Sequence, residues 1–231
     1  MYNSWKFNKR KGGGGVGVDL GRKKRKLEEE EDDDDEGSPI APFIFPKQGS
    51  QSVYSQFNHV YFNDDINYET AFALNKELRA VELRVKTTAT ALGMDEPQPI
   101  YLHITTHGGG IHAAFSIVDC MSQISLPVYT IADGFVASAG TLITLAGEKR
   151  YITANAYMLI HELRSGVWGK MTSIDEEYLN LKKVMDHITE FYGKRTNISK
   201  KSLEKILTKD IIWNAEECID KGLVMEVYKK N

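Results

Sequence analysis

The stretch that decides the fold is "PVYTIADGFVASAGTLITLA", Pro127 to Ala146. Its first part carries the apolar and β-branched residues of a buried strand, and its last part the small and apolar residues of a buried helix. Asp133, Gly134 and Gly140 interrupt the run, which suits strand, turn and helix better than a membrane span. Inside it, "IADGFVASAG" (Ile131 to Gly140) sets one serine among Gly, Ala and Val. A serine at the start of a helix meets free backbone N–H groups and the positive end of the helix dipole, and small neighbours let a carbonyl come close. Ser138 is therefore a candidate nucleophile, with the Ala139 amide as a donor to a developing oxyanion. A plain N-cap or packing role is the competing reading.

Working outward, apolar strands and helices alternate. "IYLHIT" (100–105) predicts a strand and "IHAAFSIVDCMSQI" (111–124) a helix. "PVYTIAD" (127–133) predicts a strand followed by a turn at Gly134, with the helix "SAGTLITLA" (138–146) after it. "HVYFNDDI" precedes these as a strand, and Tyr68 to about Leu92 has helical spacing with Leu74, Leu78, Val81 and Val85 on one face. Downstream, "RYITA" and "YMLIH" predict short strands, and Ser173 to Tyr192 a long amphipathic helix. "NAEECIDKG" predicts a short helix capped by Asn214 and stopped at Gly222, and "LVMEVY" a closing strand. Strands that are apolar on both faces and alternate with helices predict a parallel sheet buried by helices, an α/β fold.

Two further places invite chemistry. "THGGG" (Thr106 to Gly110) follows one strand and precedes a helix, and its glycines allow a tight turn with unhindered N–H groups. It lies, like Ser138, at the carboxyl end of a strand, where open α/β sheets bind ligands. "YMLIHEL" delivers His161 at a strand end, which fixes a general base better than a loop does. A third group should orient that imidazole. Asp210, between "SLEKILTK" and "IIW", is the candidate, and Asp133, Asp186 and Asp220 stay open on spacing alone. His103, His107 and His112 span a strand and a loop and have no obvious carboxylate nearby, so no metal site is expected.

The chain has 231 residues, 42% hydrophobic and 26% charged, with a formal net charge of −3. That balance points to neither nucleic acid nor an anionic membrane. Cys120 and Cys218 stand far apart with no metal-ligand spacing, as free thiols in a reducing compartment would. No signal-like apolar stretch opens the chain, so a cytoplasmic location is expected. Residues 1–38 are low in complexity: a glycine run, the basic "RKKRK" (Arg22 to Lys26), then "EEEEDDDDE" (Glu28 to Glu36). Such a segment buries too little apolar surface to offset its ordering entropy, which predicts a disordered tail ahead of one domain, 39–231.

Together these motifs resemble the Clp protease proteolytic subunit family from about His59 to Val227. The serine motif GxxASxG is matched by Gly134 to Gly140, the strand-borne histidine by His161, and the Gly-Gly turn by Gly108-Gly109. A segment similar to "SAEEAxxxGLVD" follows shortly after the family's aspartate; here it is "NAEECIDKGLVME", which selects Asp210. The resemblance implies a ClpP/crotonase-like fold with a repeated β-β-α core and a protruding handle helix. It implies a Ser138–His161–Asp210 triad in one hydrogen-bonded line, with Gly109 and Ala139 amides as oxyanion hole. It also implies a homo-oligomer of stacked heptameric rings, fed unfolded polypeptides by an AAA+ Clp-type unfoldase. That partner would consume the ATP, leaving this chain with no cofactor and no metal, and with neither nucleic acid nor membrane as partner.

Several residues depart from the family pattern. His107 stands where a proline usually precedes the Gly pair, and no proline follows His161 in "HELRS". The Gln/Gly-rich handle becomes "SGVWGK" with Trp168, and the charged N-terminal segment is longer than the family's pore loop. The opening "SWKFNKR" with its glycine run is similar to phage-encoded members, for which host cytoplasm and virion maturation without an ATPase are conceivable settings. Three other functions share some of these features. A crotonase-type CoA enzyme would not need Ser138, His161 and Asp210 together. A non-catalytic ring subunit would have lost one of them. A serine–lysine peptidase would need a motif lysine that is absent here.

Overall fold

The computed structural model describes residues 52–229, so the expected tail, 1–38, and the start of the expected domain at residue 39 lie outside the described residues. Strands β1 (Val53–Gln56) and β2 (His59–Asn63) form an antiparallel hairpin. Helix α1 (Tyr68–Leu92) follows. Asn67 caps it in a capping box with Thr70, and Leu74, Leu78, Val81 and Val85 are buried on the face that the spacing predicts. Then come β3 (Ile100–Thr106), α2 (Ile111–Gln123), β4 (Val128–Ala137) and α3 (Ala139–Ala146). Next are β5 (Lys149–Ile152), β6 (Tyr157–Ile160), α4 (Met171–Arg195) and α5 (Lys200–Leu207). The described chain closes with β7 (Ile211–Trp213), α6 (Ala215–Asp220) and β8 (Glu226–Val227).

Among the described residues the strands make one eight-stranded sheet in the order β1-β2-β3-β4-β5-β8, with β6 on β4 and β7 on β6. From β2 to β8 the pairs along that path are parallel, as is β4 with β6. The β1–β2 and β6–β7 pairs are antiparallel and join the parallel sheet that the apolar patterning predicts. Alternate residues of the central strands, Val60, Phe62, Leu102 and Ile104, are buried and pack in one core with Leu74 and Leu78 of α1 and Ile117 of α2. Their neighbours on the other face are aromatic: Tyr61 stacks on His103, His59 on Tyr101, and Tyr129 and Tyr151 meet edge to edge. This is the mixed α/β architecture of the ClpP/crotonase-like fold.

Strand β4 is the hub and runs further than the sequence suggests. Instead of ending at Asp133, it continues through Gly134 to Ala137. Its first part, Tyr129 to Ala132, pairs with β5, and its last part, Phe135 to Ala137, pairs with β6. The exchange of neighbours needs a kink, which Gly134 supplies at φ +68, a conformation that costs glycine little. The register to β3 shifts at the same level, between Ile104 and Thr106, and the Thr105 hydroxyl donates to the Asp133 carbonyl at 2.7 Å. A backbone acceptor lost from the ladder is thereby satisfied by a side chain. The "AD-G" that reads as a turn is a bulged strand.

Helix α4 stands away from this body. Its buried residues, Ile188, Phe191 and Tyr192, all lie in its last third. Met171, Tyr178 and Leu179 at the other end are exposed, and Trp168 just before the helix is 99% exposed. It is a protruding handle rooted at one end. Asn214 caps α6 in a capping box with Glu217, as predicted, whereas the closing strand β8 shrinks to two residues.

Candidate active site

Strand register brings the candidates together. β4 and β6 run parallel with Ala137 opposite Leu159, so Ser138 leaves the end of β4 beside the end of β6, where His161 follows. β6 and β7 run antiparallel with Ile160 opposite Ile211, so one further step sets Asp210 across from His161. On the other side of β4, Thr106 lies opposite Val136, which carries Gly108 to Ser138. A methyl group built on Gly108 would stand 2.6 Å from Ser138 Cβ. Adjacent strand ends thus deliver the serine, the histidine and the Gly-Gly loop to one cleft, with the aspartate at the start of the neighbouring strand β7.

Ser138 occupies the N-cap position of α3, yet its side chain makes no capping bond. Its backbone sits at φ 55, ψ −126, a strained setting for a residue with a side chain. The hydroxyl is therefore not explained by helix capping, and the backbone is held from several directions. Ser138 N–H donates to the Leu159 carbonyl at 2.9 Å, and its own carbonyl accepts from the Thr141 amide at 3.0 Å. The Thr141 hydroxyl donates to that same carbonyl at 2.6 Å. Tyr192, at the root of α4, donates its hydroxyl to Thr141 Oγ1. Burial pushes the Tyr192 phenol well above its usual pKa, against the smaller opposite pull of that hydrogen bond, so it stays a proton donor.

The Gly-Gly loop is fixed on its far side. Gly110 N–H donates to the Ile66 carbonyl, and Ile66 N–H donates to the Gly108 carbonyl, each at 2.7 Å. The Thr106 hydroxyl accepts from Gly108 N–H at 3.0 Å. Gly109 has φ +141, and a Cβ there would lie 2.1 Å from the Ile66 carbonyl oxygen, so only glycine fits. Its own N–H, like that of Ala139 at the first turn of α3, has no acceptor among the described residues. His107, just before the glycines, turns its ring against Phe135 at 5.5 Å between centroids, and Gly108 and Gly109 follow it at φ 101 and φ 141.

The expected hydrogen-bonded line is not formed in this single chain. His161 Nδ1 donates at 2.7 Å to the carbonyl of the next residue, Glu162, which leaves Nε2 as the basic nitrogen. Asp210 is instead paired with Arg164, whose guanidinium reaches its Oδ2 at 2.5 Å. Both partners of that pair are more than half exposed. Ser138, Ala139, Gly109 and His161 line one cleft of about 220 Å³, together with Leu142, Ile188 and Tyr192. Asp210 does not line it. The cleft opens beside a groove of about 440 Å³ to which Ile111, Leu163, Leu181 and Val184 give an apolar wall.

Arg164, Thr141 and Tyr192 are not singled out by the sequence. Arg164 is visible only as a charge following His161 by three residues, and the Thr141–Tyr192 bond joins positions too far apart for any local pattern. His103, grouped above with His107 and His112, instead faces His59 at 3.0 Å and Asp133 at 3.5 Å on the opposite face of the sheet. Among the described residues no group of three His, Cys, Asp or Glu side chains is placed to hold a metal ion. Cys120 and Cys218 are free and buried.

The Clp protease family model matches residues 56–231. The ATP-dependent Clp protease proteolytic subunit 2 of Treponema denticola is 34% identical over 158 residues, 68% of this chain and 78% of that protein. The protein of the same name from Treponema pallidum is 31% identical over 135 residues, 58% of this chain and 68% of its own length. Fold and family together define a serine-type peptidase. The chain belongs to the Clp protease family. Among the described residues no helix is long and apolar enough to cross a membrane.

Proposed function

We propose that this chain is the proteolytic subunit of an ATP-dependent Clp-type protease, an endopeptidase with Ser138 as nucleophile, His161 as general base and Asp210 as its orienting carboxylate. The observation that carries this reading is the register that sets the ends of β4 and β6 beside the start of β7, with the Gly108-Gly109 loop against Ser138.

Ser138 Oγ attacks the peptide carbonyl as its proton passes to His161 Nε2. The new Oγ–C bond makes a tetrahedral oxyanion, held by the N–H groups of Gly109 and Ala139. Collapse breaks the C–N bond, and His161 returns the proton to the departing amine. Water, deprotonated by His161, then attacks the acyl-enzyme and frees Ser138. The extended segment between β6 and α4 offers a backbone edge to an unfolded polypeptide, and the apolar cleft and groove take its side chains. None of these steps draws on a cofactor.

At the assembly level the reading extends to stacked heptameric rings joined through the α4 handle, fed by an AAA+ unfoldase that spends the ATP, in the cytoplasm. The exposed Trp168, Met171, Tyr178 and Leu179 on and beside α4 support a buried setting for the handle. The test is hydrolysis of an unfolded polypeptide by the purified chain. Ser138→Ala is expected to lower the rate by on the order of 10⁵–10⁶, and a variant as active as the parent would overturn the assignment.

A further inference from the structure

We propose that Arg164 is a latch on the catalytic aspartate: the exposed Arg164–Asp210 ion pair holds the site in a resting arrangement, and its release lets Asp210 take His161 Nδ1–H. This rests on the serine-peptidase reading above and assigns a regulatory contact to that same site.

Three observations carry it. Asp210 stands one register step beyond the Ile160–Ile211 pair, across from His161, so its backbone is placed to serve the imidazole. Its carboxylate is nevertheless engaged by Arg164 at 2.5 Å. The Nδ1–H that it should receive goes to the Glu162 carbonyl at 2.7 Å. The two contacts are mutually consistent, since each occupies what the other half of the triad lacks. Both Arg164 and Glu162 belong to the stretch without regular structure between β6 and α4. The Glu162 amide is tied to the Leu207 carbonyl of α5 at 2.8 Å, three residues before Asp210 in the chain. One displacement of this stretch can therefore exchange both hydrogen bonds.

Arg164 also lines both the catalytic cleft and the adjoining groove. A polypeptide laid along that groove meets the arginine, and a backbone carbonyl or an acidic side chain of the substrate competes with Asp210 for its N–H groups. Substrate arrival and triad assembly are coupled in this way. The pair is a weak brake, because an ion pair with side chains 68% and 56% exposed contributes little in water. Release should change activity a few-fold and no more.

The test compares the rate at which a small fluorophosphonate labels the purified full chain, its Arg164→Met and Arg164→Lys variants, and a Ser138→Ala control. A small probe leaves the groove empty, so altered peptide binding does not enter. Arg164→Met is expected to label about two- to fivefold faster than the parent at low salt, the range that an exposed ion pair allows. Arg164→Lys should stay near the parent. Near 1 M salt, where the screening length falls to about 3 Å, the gap between Arg164→Met and the parent should close. Should Arg164→Met fail to fold, the salt acceleration of the parent alone, absent in the Ser138→Ala control, decides the matter. Equal or slower labelling of Arg164→Met, or a parent indifferent to salt, overturns the latch and leaves the peptidase reading standing. No labelling of any of these proteins overturns the peptidase reading, and the latch with it.

Discussion

Ser138 is the residue at which local strain and proposed chemistry meet. A non-glycine residue at φ 55, ψ −126 costs about 1–3 kcal/mol, and the surrounding structure must over-determine it. The bonds to Leu159 and Thr141 supply that constraint. Ser138→Gly should therefore raise stability by about 1 kcal/mol in denaturant unfolding while abolishing hydrolysis, whereas Ser138→Ala, which keeps a Cβ, should not be stabilised. Equal stability of the two variants would show that the backbone is unstrained. Sequence spacing alone leaves Ser138 between a cap, a small packing residue and a nucleophile. The absence of a side-chain capping bond removes the first reading, and no residue pattern could have announced it. Arg164 was equally hidden, because its meaning depends on Asp210, brought alongside only by the β6–β7 pairing.

Among the elements, α4 does two jobs at opposite ends. Its exposed start forms the handle, and its root carries Tyr192 into a chain of hydrogen bonds that runs from the phenol to Thr141 and on to the Ser138 carbonyl. Tyr192→Phe removes the first donor from a buried site, so a loss of about 1 kcal/mol in unfolding free energy is expected. If the chain of bonds also steadies the serine, kcat should fall with KM little changed; an unaltered kcat would confine the tyrosine to packing. The periodic elements were legible because burial imposes its period on the sequence. Leu74, Leu78, Val81 and Val85 mark the inner face of α1 in the residue pattern and in the structure alike. The end of β4 is hidden in the sequence because Asp133-Gly134 is good turn chemistry. Only the change of partner from β5 to β6 explains why a strand passes through it. The hairpin strand β1 leaves no such mark in the sequence, since its four residues, none of them buried, carry too little apolar signal.

At the scale of the whole molecule, the alternation of strands and helices predicted the α/β class, and four short motifs in order pointed to the Clp protease family before any coordinates. What they did not contain was the mixed sheet, with antiparallel β1 and β7 at its margins. For the proposed site that β7 pairing matters most, because it sets Asp210 one register step on, across from His161. The strand ends that the proposed triad needs stand side by side in the single chain, while His161 Nδ1 bonds to Glu162 and Asp210 to Arg164. In the proposed latch the scaffold and the switch are separable: the sheet fixes where the groups stand, and the loop after β6 carries the two contacts, from Glu162 and Arg164, that would have to exchange. The central claim is that Ser138 is a nucleophile made reactive by His161. Its most direct test is mass spectrometry of the fluorophosphonate-treated protein after digestion. The account predicts one adduct, on the peptide containing Ser138, that disappears in His161→Ala. An unmodified Ser138 peptide from the folded parent, or an adduct that persists without His161, would contradict it.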